Sequence, residues 1–98
     1  MKVEVYLYNH FEKISYDILK LLENNNITFS VKAYDSDMPL EKVSKDIGEK
    51  VKRLPQVIID GERVGRYYDL VEYLMSKNII NNIGEVQNDK RSAEFKGS

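Results

Sequence analysis

Leu54-Pro55-Gln56-Val57-Ile58-Ile59-Asp60-Gly61-Glu62-Arg63-Val64-Gly65-Arg66-Tyr67-Tyr68-Asp69-Leu70 is the stretch from which the fold can be read. Val57, Ile58 and Ile59 are β-branched and unbroken, as in a strand buried on both faces. Pro55 has no N–H, so it belongs at the entrance of that strand. It also drives Leu54 into an extended conformation. Asp60-Gly61 supplies the positive φ angles of a two-residue hairpin turn. A second short strand then reaches Gly65, and a helix is expected to start near Asp69.

Upstream, Lys2–Tyr8 alternates, with Val3, Val5 and Leu7 on one face and Glu4, Tyr6 and Tyr8 on the other, which predicts a strand. Asn9-His10-Phe11 is a short loop. From Glu12 to Asn24 the stripe Ile14, Ile18, Leu21 and Leu22 predicts a helix, stopped by Asn24-Asn25-Asn26. Thr28–Tyr34 reads as a second strand, with Phe29, Val31 and Ala33 on one side. Ser36-Asp37 is suited to cap a helix beginning around Pro39, with Leu40, Val43 and Ile47 inward and Gly48 at its end. In the last helix Leu70, Val71, Tyr73 and Leu74 form the inner face. The order is β-α-β-α-β-β-α. It predicts an α/β domain with a mixed four-stranded sheet flanked by helices, its first two strands parallel.

Ninety-eight residues suit one domain. The expected domain spans residues 1–84, with Ile79, Ile80 and Ile83 docking after the last helix; residues 85–98 read as a polar, disordered tail. Charged residues are abundant but cancel to a net charge of -1, so neither nucleic acid nor an anionic membrane surface is an expected partner. No apolar run approaches the roughly 18 residues of a membrane span. The N-terminus lacks a secretory pattern, so a cytoplasmic protein is expected. The chain has no cysteine, which excludes disulfides, thiolate metal sites and thiol chemistry of its own. His10 with Glu12 is too small a set for a metal, and no cofactor is called for by the residues alone.

The hairpin run resembles the second half of a glutaredoxin, a branch of the thioredoxin fold. The resemblance rests on Leu54-Pro55, Asp60-Gly61, Val64, Gly65-Arg66, Tyr67-Tyr68 and Asp69-Leu70, and with the first strand and helix it covers roughly residues 2–77. It implies a thioredoxin-like fold and a cis peptide bond before Pro55. It also implies a groove in which the Leu54 backbone pairs with an extended peptide or with glutathione. In that family a reactive Cys-x-x-Cys opens the first helix, where free N–H groups and the helix dipole stabilise a thiolate. Those positions fall here on Glu12 and Ser15, or on Lys13 and Tyr16 if the loop is one residue shorter. The glutathione-binding Gly-Gly-x-x-Asp segment corresponds to Gly65, Arg66, Tyr67, Tyr68 and Asp69. Arg66 stands for the second Gly, and Lys52 and Arg53 are placed to meet a ligand carboxylate.

Each of these residues also has a plainer reading. Glu12 complements the helix dipole, Ser15 is a small first-turn residue, His10 is an exposed loop histidine, and Lys52 and Arg53 are solvated charges. With no thiol, dithiol oxidoreductase activity is not expected, and an enzymatic role is disfavoured. The main expectation is a redox-inactive binding module. Its Pro-side groove, with Tyr8 and Phe11 nearby, would take an extended peptide of a partner protein, or, less readily, glutathione in a remnant of the ancestral site. One alternative is a glutathione-dependent transferase using Tyr8 or Ser15 to hold the ligand's thiol. Another is a dimerisation domain with Tyr67, Tyr68, Tyr73 and Phe11 as aromatic anchors.

Overall fold

The computed structural model describes residues 1–80. Its elements are β1 (Val3–Tyr8), α1 (Lys13–Asn24), β2 (Phe29–Tyr34), α2 (Leu40–Ile47), β3 (Gln56–Ile59), β4 (Glu62–Gly65) and α3 (Tyr67–Ser76). The sheet runs β2-β1-β3-β4. β1 pairs parallel with β2, in register from Val3↔Phe29 to Tyr8↔Tyr34, and antiparallel with β3. The expected order and the mixed four-stranded sheet are what the structure shows. The boundary at residue 84 and the tail 85–98, with Ile83, lie outside the described residues. Ile80 is buried against the main core, and Ile79 packs beside it in part.

The hairpin turn follows from its two residues. Asp60 and Gly61 have φ of 52° and 84°, and Ile59 pairs with Glu62 across them. Asp60 also ties the turn to the start of β1: its N–H donates to the Lys2 carbonyl at 2.8 Å, and its Oδ1 accepts from the Lys2 N–H at 2.8 Å.

The pleat of the sheet sorts the apolar residues into two cores. Val3, Val5, Leu7, Val57 and Ile59 face α1 and α3 and meet Ile18, Leu21, Leu22, Leu70, Val71 and Leu74. The other face carries Tyr6, Tyr34 and Ile58, packed with Val43 of α2 and with Val51 and Leu54. β3 is buried along its whole length because both layers cover it. β2, at the edge, differs. Only Tyr34 is buried, and Val31 is 46% exposed.

Three expectations are corrected at helix ends. Ser36 and Asp37 do not cap α2, because the Asp35–Met38 turn takes them up (Met38 N–H to Asp35 carbonyl, 3.0 Å); Pro39 is the N-cap residue. α3 starts at Tyr67 and not near Asp69, because Asp69 reaches back from the first turn. α1 starts at Lys13, with Glu12 as its N-cap residue.

Tyr34 donates its hydroxyl to Asp46 Oδ2 at 2.8 Å and lies 6.4 Å, centroid to centroid, from the stacked Tyr6 ring. Burial first, then the Asp46 carboxylate, push its phenol well above its ordinary value. The folded state therefore favours the neutral phenol. That contribution is complete below about pH 10, where the unfolded phenol is also neutral, and is lost as the pH rises towards the folded value. Tyr34→Phe should cost about 1 kcal/mol at pH 7 and should flatten the fall in stability above about pH 10. Urea titrations across that range check it; an unchanged alkaline slope would contradict it.

Candidate functional site

The loop before β3 is held from three sides. Ser44 Oγ accepts from the Val51 N–H at 2.9 Å. Gln56, buried at the start of β3, donates from Nε2 to the Arg53 carbonyl at 3.0 Å. Arg63 on β4 contacts Gln56 Oε1 at 3.5 Å and pairs with Glu49. These contacts fix Leu54 and Pro55, both buried, at the mouth of β3. The Leu54–Pro55 peptide bond is cis.

Beside them β4 ends in a bulge. Val57 pairs with Gly65 while Ile58 pairs with Arg63, leaving Val64 as the extra residue. Gly65 has φ of 126° and backs onto Asp69. Asp69 Oδ2 accepts from the Arg66 N–H at 3.1 Å, so the helix start folds over itself.

The Arg66 side chain turns across the loop. Its Nη2 donates to the Leu54 carbonyl at 3.2 Å, and its Nε is buried with no partner among the described residues. Burial, then the like charge of Arg53, lower its pKa; Glu12 and Asp69 oppose them more weakly. The geometry thus gathers Arg53, Leu54, Pro55, Gly65, Arg66 and Asp69, with Glu12 within electrostatic reach. Tyr67 is half-buried, with its phenol raised by burial and then by Asp17, and stands edge-on to Tyr68 at 5.2 Å. Tyr68 is exposed, as is Lys52.

Tyr8, Phe11, Glu12 and Ser15 group separately. They line a depression of about 340 Å³ with His10, Tyr16 and Leu19. Glu12 does not cap α1 with its side chain. Its Oε1 is 3.5 Å from Ser15 Oγ, a weak contact, and its Oε2 is 3.9 Å from His10 Nε2. Ser15 is buried. The Tyr8 hydroxyl donates to the Met38 carbonyl at 3.3 Å, and its ring stacks on His10. His10 Nδ1 lies 2.9 Å from Ser36 Oγ. Lys13 and Tyr16, the other register, are exposed; Lys13 pairs with Asp17 at 2.7 Å.

Sequence reasoning gave no role to Gln56, Arg63 or Glu49, although a lone Gln opening an apolar run was a signal. It also left His10 without partners, since Ser36 and Tyr8 meet it only in the fold. Among the described residues no group of acidic or histidine side chains is arranged to hold a metal, and no helix is long and apolar enough to cross a membrane.

No family model matches the sequence, and no curated protein is similar to it at a significant level. Solved structures do match. Glutaredoxin 1 from Francisella tularensis, in complex with cacodylate, has a TM-score of 0.65 at 23% identity, over 80% of this chain and 95% of that one. E. coli glutaredoxin gives 0.54 at 14% identity, over 79% of this chain and 96% of its own. The reduced E. coli protein gives 0.54 at 16%, over 82% and 100%. In architecture the chain is therefore a glutaredoxin-like thioredoxin fold, and it carries no cysteine.

Proposed function

We propose that the protein is a cytoplasmic, redox-inactive binding module whose Pro-side groove takes an extended peptide segment of a partner protein, with glutathione as a weaker ligand. The observation that carries this reading is the convergence of Arg53, Leu54, Pro55, Gly65 and Arg66, with Glu12 within electrostatic reach of Arg66. A loop anchored by the buried Leu54 and Pro55 and braced by Gln56 and Arg63 is a rigid platform for strand addition, in which backbone groups give affinity and neighbouring side chains give selectivity. Glu12 puts a carboxylate, and no thiol, at the start of α1.

The transferase alternative has less support. The Tyr8 hydroxyl is engaged with the Met38 carbonyl, and Ser15 is buried with only a long contact to Glu12. Panning a peptide library against the protein, then mapping selected peptides by backbone amide shifts, tests the proposal. Shifts at Leu54 and Gly65–Asp69 that vanish with Pro55→Ala or Tyr68→Ala are expected. Selected peptides that leave those amides unmoved would overturn it. Reduced glutathione, titrated in parallel to millimolar concentration, is expected to give smaller shifts at the same amides.

A further inference from the structure

We propose that the free edge of β2 pairs antiparallel with the same edge of a second copy of the chain, about a two-fold axis at Val31, so that two molecules share one continuous sheet. The inference does not rest on the binding-module reading: β1 stands between this edge and β3, at whose mouth Leu54 and Pro55 lie.

The backbone of β2 alternates in what it faces. Tyr34 turns its carbonyl towards β1, where it accepts from the Asn9 N–H. Ser30 and Lys32 share that parity and bond to β1; Phe29, Val31 and Ala33 turn their N–H and C=O groups out of the sheet. β1 gives the same parity from its other side, since the Lys2 carbonyl accepts from Asp60 and leaves Val3, Val5 and Leu7 facing β2. β2 ends the sheet, and Ser30–Ala33 are exposed, so no described element covers these outward groups. Such an edge is a template for another strand. A two-fold axis at Val31 sets every outward residue opposite an outward residue. Val31 meets the partner's Val31, and Phe29 meets the partner's Ala33, a large side chain against a small one. Each of these pairs exchanges two N–H···O bonds. Lys32, the one charge in β2, selects this register. It lies opposite the partner's Ser30, whereas an axis one residue further on would set Lys32 against the partner's Lys32. Beyond that serine stands the partner's Glu4, because Glu4 and Ser30 are register partners on the same face. Two strand spacings, about 10 Å between Cα atoms, separate Lys32 from the partner's Glu4. A lysine laid over a serine spans that distance. Among the described residues neither Glu4 nor Lys32 forms an ion pair. On the opposite face the pairing covers Val31, which is 46% exposed in the single chain. One strand pair is a small contact, below the roughly 1,200 Å² of stable complexes, so the dimer forms at high protein concentration.

Sedimentation velocity of the full chain, from about 10 µM to about 1 mM, is expected to show a monomer–dimer equilibrium with a dissociation constant of roughly 0.1 mM. As the concentration rises, the amides of Phe29, Val31 and Ala33 should gain more protection from solvent exchange than those of Ser30 and Lys32, which already bond to β1. Val31→Lys places like charges at the axis and should weaken the dimer at least about tenfold. The side chain is already half in solvent, so the fold should survive the change. Lys32→Glu should weaken the dimer as well, and adding Glu4→Lys in the same chain should restore it. A wild-type protein that stays monomeric at about 1 mM overturns the inference, and that measurement needs no variant to fold. A dimer indifferent to Val31→Lys forms through another surface and overturns it too, as does a charge exchange that restores nothing. None of these results bears on the groove, which the panned peptides test separately.

Discussion

Gly65→Ala is expected to remove about 2–6 kcal/mol of stability, a large part of the roughly 5–15 kcal/mol typical of a domain. Two costs combine. The residue sits at φ of 126°, where a side chain is strained by roughly 1–3 kcal/mol. A methyl group there would also meet Asp69, at 2.8 Å from Cγ and 2.9 Å from Cβ and closer still to Oδ2. Relieving that overlap costs about 1–3 kcal/mol more and displaces the carboxylate from the Arg66 N–H. Urea unfolding followed by circular dichroism measures the loss. Adding Asp69→Ala removes two of the three overlapping atoms, so the double variant should lose less than the sum of the single ones. A loss below about 1 kcal/mol in Gly65→Ala would show that the backbone relaxes without strain.

Leu70→Ala should cost about 2–5 kcal/mol. The side chain is fully buried in the larger core, one residue after Asp69 in the first turn of α3. Its truncation opens a cavity between helix and sheet that the rigid β3 has little freedom to fill. It also loosens the turn that carries Arg66, so peptide binding should weaken with stability. Tyr68→Ala is the contrasting case. Tyr68 is 73% exposed, so stability should change by no more than about 0.5 kcal/mol while binding falls. Equal destabilisation by the two variants would mean that Tyr68 is packed more tightly than its exposure indicates.

Which parts of this arrangement can be read from the sequence follows from the range of the interactions. The hairpin is legible because Asp60 and Gly61 decide their own backbone angles and Val57–Ile59 need only be buried. β1 and α1 are legible because alternation and the Ile14–Ile18–Leu22 stripe are local periodicities. The start of α3 is read too late, because an Asp before an apolar run looks like a cap, whereas Asp69 accepts from a residue three positions back. Ser36 and Asp37 mislead in the same way: their polarity serves a turn, and the Ser36 hydroxyl meets His10. The exposure of Val31 depends on β2 being an edge strand, which no local pattern states. At the candidate site, Leu54, Gly65 and Asp69 are placed by the resemblance to the glutaredoxin motif. The path of Arg66 to a carbonyl 12 residues away is not, because it depends on how β4 is laid against the loop.

The strand order has a consequence for the protein during its own synthesis. β1 lies inside the sheet, yet its second neighbour, β3, comes much later in the chain: Val5 pairs with Val57, 52 positions on. At ribosomal speeds that interval lasts about 3–10 s. Until it ends, one edge of β1 can be covered by β2 alone, and Val3, Val5 and Leu7 lack the wall that α3 provides. A nascent chain released or stalled before Ile59 would therefore present an unpaired, apolar strand edge. Such a fragment should be a target for chaperones and a seed for aggregation, although the finished domain hides that edge.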